Sequence, residues 1–129
     1  NFTRVYLGSN GSEAVETALK MARQFHRQSP DPVDHGRFKI VSLRGSYHGF
    51  SYGAVSTSGL VGDESKYGPL VPGFHQIEPP YCYRCPYKKT AYPECGLLCA
   101  KQLKTKIEEE GPDTVAAFIL EPIMGAYGL

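Results

Sequence analysis

A glycine-rich turn runs directly into a helical pattern near the start of the chain, within residues 8–24 (GSNGSEAVETALKMARQ). Asn10 has the side chain of a helix N-cap, and Glu13 follows at the spacing of a capping box. Gly11 and Ser12 then fall in the first helical turn, where backbone N–H groups have no intrahelical partner and the helix dipole favours an anion. The pattern predicts either a phosphate site at Gly11 and Ser12 or a capped helix start without a ligand.

Two later motifs could complete such a site. Tyr47, His48 and Gly49 follow an apolar β-branched run, and an aromatic ring beside a phosphate site could stack on a planar ligand. Glu121 directly follows the apolar run at residues 115–120, so its carboxylate requires a partner. The structural alternatives are ordinary packing for the tyrosine and an ion pair for the glutamate.

Four cysteines lie in one window at Cys82, Cys85, Cys95 and Cys99. Their spacing, C-x2-C and then C-x3-C after nine residues, fits a zinc site of four thiolates. The alternative is a proline-rich excursion whose thiols are buried as small apolar groups. Because no secretory signal is visible, the cluster favours thiols or metal over a disulfide framework.

Composition narrows the function classes. The 129 residues, about one domain's worth, are 41% hydrophobic and 21% charged with a net charge of +1, which gives no reason to expect a nucleic-acid partner. No apolar run is long enough to span a bilayer and no signal segment is visible, so we expect no membrane partner and a cytoplasmic location. The chain lacks an initiator Met and ends on a strand and turn, so we expect a fragment of a longer protein.

Hydrophobic periodicity places these motifs on a predicted sheet. Strand, helix and strand in succession predict an α/β fold of three layers, α/β/α, with a mainly parallel sheet whose strand-end loops gather at one edge. Helices are predicted with the residue sets Ala14/Ala18/Met21/Ala22/Phe25 and Leu97/Ala100/Leu103/Ile107 on their apolar faces. The predicted strands are residues 3–8, 38–43 and 114–122, and the last is expected to be central in the sheet. The predicted helices run from residue 10 to before Ser29 and from about residue 95 to 109. An irregular Cys/Pro-rich insert is expected at about 60–95.

Three motifs in this order resemble class III pyridoxal-phosphate-dependent aminotransferases of fold type I. They are NGSEAVETALKMAR, YHG and FILEPIMGAYG, and the resemblance covers essentially the whole chain. It implies that residues 1–129 are part of the large domain that binds the cofactor, pyridoxal 5'-phosphate. By this resemblance Gly11 and Ser12 donate to the cofactor phosphate. Tyr47 stacks on the pyridine ring with His48 alongside, and Glu121 lies near the phenolic oxygen of the ring.

The resemblance also implies what this chain does not contain. In the family, the lysine of the internal aldimine and the aspartate that pairs with the pyridine nitrogen follow the Glu-Pro strand end, and here they would lie beyond Leu129. We therefore expect no catalytic residue in this chain. The parent protein is expected to be a transaminase, and the 129-residue chain is expected to be inactive alone.

Two departures from family patterns narrow the expected substrates. Phe50 stands where acetylornithine-type members carry arginine, and Ala126 stands where many 2-oxoglutarate-using members carry glutamate. The chain is therefore most similar to members that pair an amine or ω-amino acid donor with pyruvate as the 2-oxo acid acceptor. Such members are homodimers. The cysteine insert has a place as a family loop without zinc, so no metal ligand is expected. The alternatives are an aminomutase or decarboxylase of the same fold and a non-catalytic zinc-binding module.

Overall fold

A computed structural model of the chain describes residues 2–60, 66–87 and 92–127. Helices and strands alternate along them. The elements are α1 (Gly11–Arg27), β1 (Lys39–Leu43), α2 (Tyr52–Thr57), β2 (Phe74–Ile77), α3 (Leu98–Glu110) and β3 (Val115–Phe118). Short 3-10 helices, Pro32–Gly36 and Cys82–Arg84, lie in the connections. None of the helices in these three ranges is long and apolar enough to cross a bilayer.

The three strands form one parallel sheet in the order β2-β1-β3. Ile40 of β1 is in register with Phe74 of β2 and with Ala117 of β3. Parallel neighbours need long crossovers, and the connections carry them: α2 lies between β1 and β2, and α3 lies between β2 and β3. The strand ends that precede Arg44, Glu78 and Ile119 consequently share one edge of the sheet.

Helices cover both faces of this sheet. Because side chains alternate along a strand, Val41 and Leu43 point to one face, where they pack with Leu103 and Ile107 of α3. Ile40, which has no exposed surface, points to the other face, and α1 and α2 contact each other and the strands there. The predicted α/β fold of three layers with a parallel sheet is confirmed.

The strand order differs from the sequence prediction. We expected the run at residues 114–122 to be central, but β1 is central and β3 is its neighbour at the edge of the described sheet. The burial agrees with this order, since four of the five β1 residues are buried whereas β3 is mostly half-buried.

The predicted insert at about 60–95 contains an element that periodicity did not reveal. Strand β2 has the sequence FHQI, whose two polar residues hide it between proline-rich segments. It pairs with β1 along its whole length. Residues 61–65 and 88–91 of the predicted insert lie outside the described residues.

The strand predicted at residues 3–8 is wrong. Residues 2–8 carry no strand and are exposed, and the described part of the chain provides them with no partner strand. A β-type composition needs a neighbouring strand to satisfy its backbone groups, so composition alone did not suffice.

Helix α1 begins where its cap predicts, but it buries a different face. Leu19 is 7% exposed, whereas Met21 and Phe25 of the predicted apolar face are 58% and 74% exposed. The polar side chains of α1 explain this rotation. Arg23 donates to Phe38 O at 2.9 Å and His26 Nε2 lies 2.9 Å from Ala116 O, so these hydrogen bonds turn their face of the helix toward the sheet.

The carboxyl end of α3 is held to the sheet by contacts of the Glu110 carboxylate with basic side chains. Glu110 Oε2 lies 3.1 Å from Lys39 Nζ, and Glu110 Oε1 lies 3.0 Å from His75 Nδ1. Glu110 therefore contacts the sheet although it is one of three consecutive glutamates at the helix end. On the apolar face of this helix only Leu103 and Ile107 of the predicted set pack on the core, while Leu97 and Ala100 are exposed.

Candidate functional site

The first turn of α1 presents backbone amides without partners. Asn10 is the N-cap, and its Oδ1 accepts from Glu13 N at 2.9 Å. Glu13 Oε2 in turn accepts from the hydroxyl and the amide of Ser9, both at 2.7 Å, and these hydrogen bonds lower the pKa of the Glu13 carboxyl. The amides of Gly11 and Ser12 make no hydrogen bond within the described chain, so they remain available to an anion at the positive end of the helix.

The loop after β1 lies across this helix start, and its backbone is held from three directions. Tyr47 N donates to Glu121 Oε1 at 2.7 Å, and His48 N donates to Ser58 Oγ at 2.8 Å. Phe50 N donates to Ser12 Oγ at 3.1 Å, which ties the loop directly to α1. These amides fix the course of the segment that carries the predicted aromatic and histidine.

Gly49 permits the close approach of loop and helix. Its φ of +127° is a backbone conformation that residues with a side chain rarely adopt. A Cβ at this position would stand 2.5 Å from Ser12 Oγ. A residue other than glycine would therefore push the loop away from the first turn of α1.

These residues enclose an open cavity of about 510 Å³ at the carboxyl edge of the sheet. Four of the five residues predicted to bind a cofactor line it, namely Gly11, Ser12, Tyr47 and His48. Tyr47 is 42% exposed, and its ring meets the Phe50 ring edge-on at 5.3 Å between centroids. The cavity is lined by Asn10, Gly11, Ser12, Val15, Tyr47, His48 and Gly49.

Glu121 lies behind this cavity. One carboxylate oxygen accepts from Tyr47 N, and the other accepts from Gly125 N at 3.1 Å. Its side chain lines a neighbouring cavity with Leu43 and Tyr127. The structure thus places Glu121 where it fixes the two loops that follow β1 and β3, while its carboxylate is already engaged by backbone amides.

His48 is a buried titratable group in the cavity wall. It is 8% exposed, and its Nε2 has no hydrogen-bond partner in the described part of the chain. Burial lowers the pKa of His48 below its ordinary value of 6.5, although the charge of Glu121 opposes this effect. The imidazole is therefore neutral at pH 7, and its Nε2 is itself buried in the wall of the cavity.

Sequence reasoning missed Glu16, one turn further along α1. Its Oε1 accepts from Ser51 Oγ at 2.6 Å, from Gly53 N at 2.8 Å and from Ala54 N at 3.1 Å. Burial raises the pKa of Glu16, but the hydrogen bonds from these three residues outweigh it, so the net pKa is lowered. The signal that could have revealed it is Ser51, because serine is a common helix N-cap and so predicts the start of α2, whose first amides need a partner.

The four cysteines line one small cavity of about 30 Å³, together with tyrosine and proline side chains. No disulfide joins Cys82, Cys85, Cys95 and Cys99. Within residues 2–60, 66–87 and 92–127, no three histidine, cysteine or acidic side chains are arranged to hold a metal ion.

The fold and the cavity together indicate which class of ligand the protein binds. An α/β protein presents, at the carboxyl edge of a parallel sheet, unpaired helix N-terminal amides together with an exposed aromatic ring and an unpartnered imidazole nitrogen. Such a cavity suits a ligand with a phosphate and a planar ring. Residues 2–129 match the model of the class-III aminotransferase family, and the chain belongs to that family.

Individual relatives agree with this family. An adenosylmethionine-8-amino-7-oxononanoate aminotransferase of Geobacter sulfurreducens is 38% identical over 127 residues, which cover 98% of this chain and 27% of that protein. An (S)-enantioselective omega-transaminase from Thermomicrobium roseum has a solved structure with a TM-score of 0.79 and 37% identity, covering 92% of this chain and 26% of that one. The PLP-bound structure of an amine transaminase from an uncultivated Pseudomonas species has a TM-score of 0.77 and 36% identity over 92% of this chain and 26% of that one.

The chain spans about a quarter of the length of the relatives that it matches. Family membership shows that the chain comes from a class of transaminating enzymes.

Proposed function

We propose that this chain forms the cofactor-phosphate and ring-stacking side of the active site of a pyridoxal-phosphate-dependent transaminase. The observation that carries the proposal is the cavity lined both by Gly11 and Ser12, with their unpaired amides, and by Tyr47 and His48. Family membership supports the same ligand, since the related amine transaminase from Pseudomonas is described in its PLP-bound form.

The residues present fit this cofactor. The amides of Gly11 and Ser12 donate to the phosphate, and the Ser12 hydroxyl still has its own proton to donate while its oxygen accepts from Phe50 N. The exposed face of Tyr47 stacks on the pyridine ring. When bound, pyridoxal phosphate supplies an electron sink that lets an amino group move between carbon skeletons.

His48 and Glu121 prepare the cavity rather than carry the amino group. The neutral His48 imidazole lines the cavity without adding a charge beside the ring. Glu121 holds the Tyr47 amide at 2.7 Å and keeps the stacking residue in place. By the family resemblance, the cofactor-linking lysine and the aspartate at the pyridine nitrogen come from chain beyond Leu129, so the 129 residues alone transfer no amino group.

We propose an amine or ω-amino acid as donor and pyruvate as acceptor. The similarity to an omega-transaminase and to an amine transaminase supports the donor class. The uncharged Ala126 supports pyruvate, because the family glutamate associated with 2-oxoglutarate is missing. Gly128 of the same motif lies outside the described residues. The full-length protein is proposed to be a homodimer, as its family resemblance implies.

The experiment is a transaminase assay of the full-length protein with an ω-amine donor and three acceptors, pyruvate, glyoxylate and 2-oxoglutarate. The highest kcat/KM is expected with pyruvate. A preference for 2-oxoglutarate would contradict the acceptor while leaving the transaminase function in place. Decarboxylation or isomerisation of the amine without transfer to any acceptor would contradict the proposed function.

A further inference from the structure

We propose that Glu16 is a positioning residue that fixes the Tyr47–His48 loop at a set distance from the phosphate-binding amides. This inference rests on the proposed function, because it assumes that these two groups hold the two ends of one ligand. It adds a role for a residue that does not line the cavity.

Helix α1 carries both halves of the device. Its first turn presents the amides of Gly11 and Ser12, and Glu16 stands one turn further along the same helix. The Glu16 carboxylate reaches the start of α2, where it accepts from Ser51 Oγ, Gly53 N and Ala54 N at 2.6, 2.8 and 3.1 Å. One rigid helix therefore sets the distance between the phosphate end and the far end of the aromatic loop.

Helix α2 depends on this contact for its N-terminal amides. Its N-cap, Ser51, makes no side-chain capping bond to its own helix, and the amides of Gly53 and Ala54 donate to Glu16 instead. The carboxylate thus takes the place of a local cap and also lies at the positive end of the helix dipole. Gly53 leaves room for it, since a Cβ at that position would collide with Glu16 Oε2.

The loop between β1 and α2 is fastened at successive amides. Glu121 accepts from Tyr47 N, and Ser12 accepts from Phe50 N. Glu16 holds the end of the segment, because it accepts from Ala54 N. Removal of the Glu16 carboxylate releases the start of α2 and lets the loop move away from α1. The amides of Gly11 and Ser12 keep their place, because the N-cap of α1, Asn10 with the amide of Glu13, does not involve Glu16.

This separation predicts different effects on the two ends of the ligand. A displaced loop weakens binding of the pyridine ring but leaves the phosphate site intact. A general loss of structure in α1 would weaken both. Pyridoxamine phosphate reports on both ends, and inorganic phosphate reports on one. Pyridoxamine phosphate also lacks the aldehyde that reacts with a lysine, so its affinity reflects non-covalent contacts alone.

The test uses full-length apoprotein and three variants, Glu16→Ala, Glu16→Gln and the control Gln24→Ala, which removes an exposed polar side chain from the same helix. We expect Glu16→Ala to raise the Kd for pyridoxamine phosphate at least about tenfold and to change the Kd for inorganic phosphate less than about twofold. Glu16→Gln keeps an oxygen that accepts the same hydrogen bonds, so it should restore most of the affinity. Gln24→Ala should match the wild type.

Equal losses for the two ligands in Glu16→Ala, or no loss for either, would overturn the positioning role. If Glu16→Ala does not fold by circular dichroism, Ser51→Ala replaces it, because it removes one of the three hydrogen bonds. It is expected to raise the Kd for pyridoxamine phosphate about threefold without affecting phosphate, and an unchanged Kd would overturn the proposal. A wild-type protein that binds inorganic phosphate but shows no added affinity for pyridoxamine phosphate would instead refute the proposed function.

Discussion

Replacement of Gly49 by alanine tests how closely the aromatic loop must lie on the start of α1. The φ of +127° at Gly49 is strained for any residue with a side chain, at a cost of about 1–3 kcal/mol. The new Cβ would also stand 2.5 Å from Ser12 Oγ and 3.1 Å from Ser12 Cα. Because Ser12 Cα belongs to the helix backbone, rotation of the Ser12 side chain alone would not relieve this contact. We therefore expect the loop itself to shift.

The shift should appear as a loss of cofactor affinity. We expect about 2 kcal/mol of binding free energy to be lost in Gly49→Ala, which is roughly a 30-fold rise in Kd for pyridoxamine phosphate in the full-length apoprotein. Gly125→Ala is the matched control, because a Cβ there meets no atom within 4 Å. An unchanged Kd in Gly49→Ala, alongside an unchanged control, would refute the close packing of Gly49 on Ser12.

Three further predictions concern stability, each measured by urea denaturation of the full-length protein. Leu19→Ala should lower the free energy of unfolding by about 2–4 kcal/mol because Leu19 is buried, and Leu19→Met by less than about 1.5 kcal/mol; equal losses would contradict its core position. Ser58→Ala should cost about 1–3 kcal/mol because it leaves the buried His48 amide without an acceptor, and a neutral result would contradict that contact. Burial raises the pKa of Glu110, but the Lys39 hydrogen bond and nearby positive charges lower it by more, so the net pKa lies below its ordinary 4.5. Its stabilisation is therefore complete above pH 4.5 and lost as the pH falls, so acid should weaken the wild type more than Glu110→Gln, and parallel pH curves would contradict the ion pair.

Local signals predicted the helix start and the position of the residues that line the cavity. The Asn10 cap and its Glu13 partner define where α1 begins, and the capping bond at 2.9 Å forms as the spacing requires. Tyr47 and His48 follow β1 directly, so the parallel sheet brings them to the edge where the helix starts. These inferences succeeded because capping and strand-end position depend on residues adjacent in sequence.

Contacts between distant residues were not visible in the sequence. From its place in the helical pattern, Glu16 would be expected to face solvent. Only folding brings the start of α2 to its carboxylate. The buried face of α1 was misjudged for a similar reason, since Arg23 and His26 turn toward the backbone of other elements. Hydrophobic periodicity counts apolar side chains and ignores polar ones that find partners across the sheet.

The central claim is that the amides of Gly11 and Ser12, with Tyr47 and His48, hold pyridoxal phosphate. The most direct measurement is an absorbance titration of full-length apoprotein with pyridoxal phosphate, followed by an ω-amine donor and then pyruvate. The account predicts a saturable cofactor band at one equivalent per chain, which changes with the donor and returns with pyruvate. A protein that shows no saturable cofactor band would contradict the account.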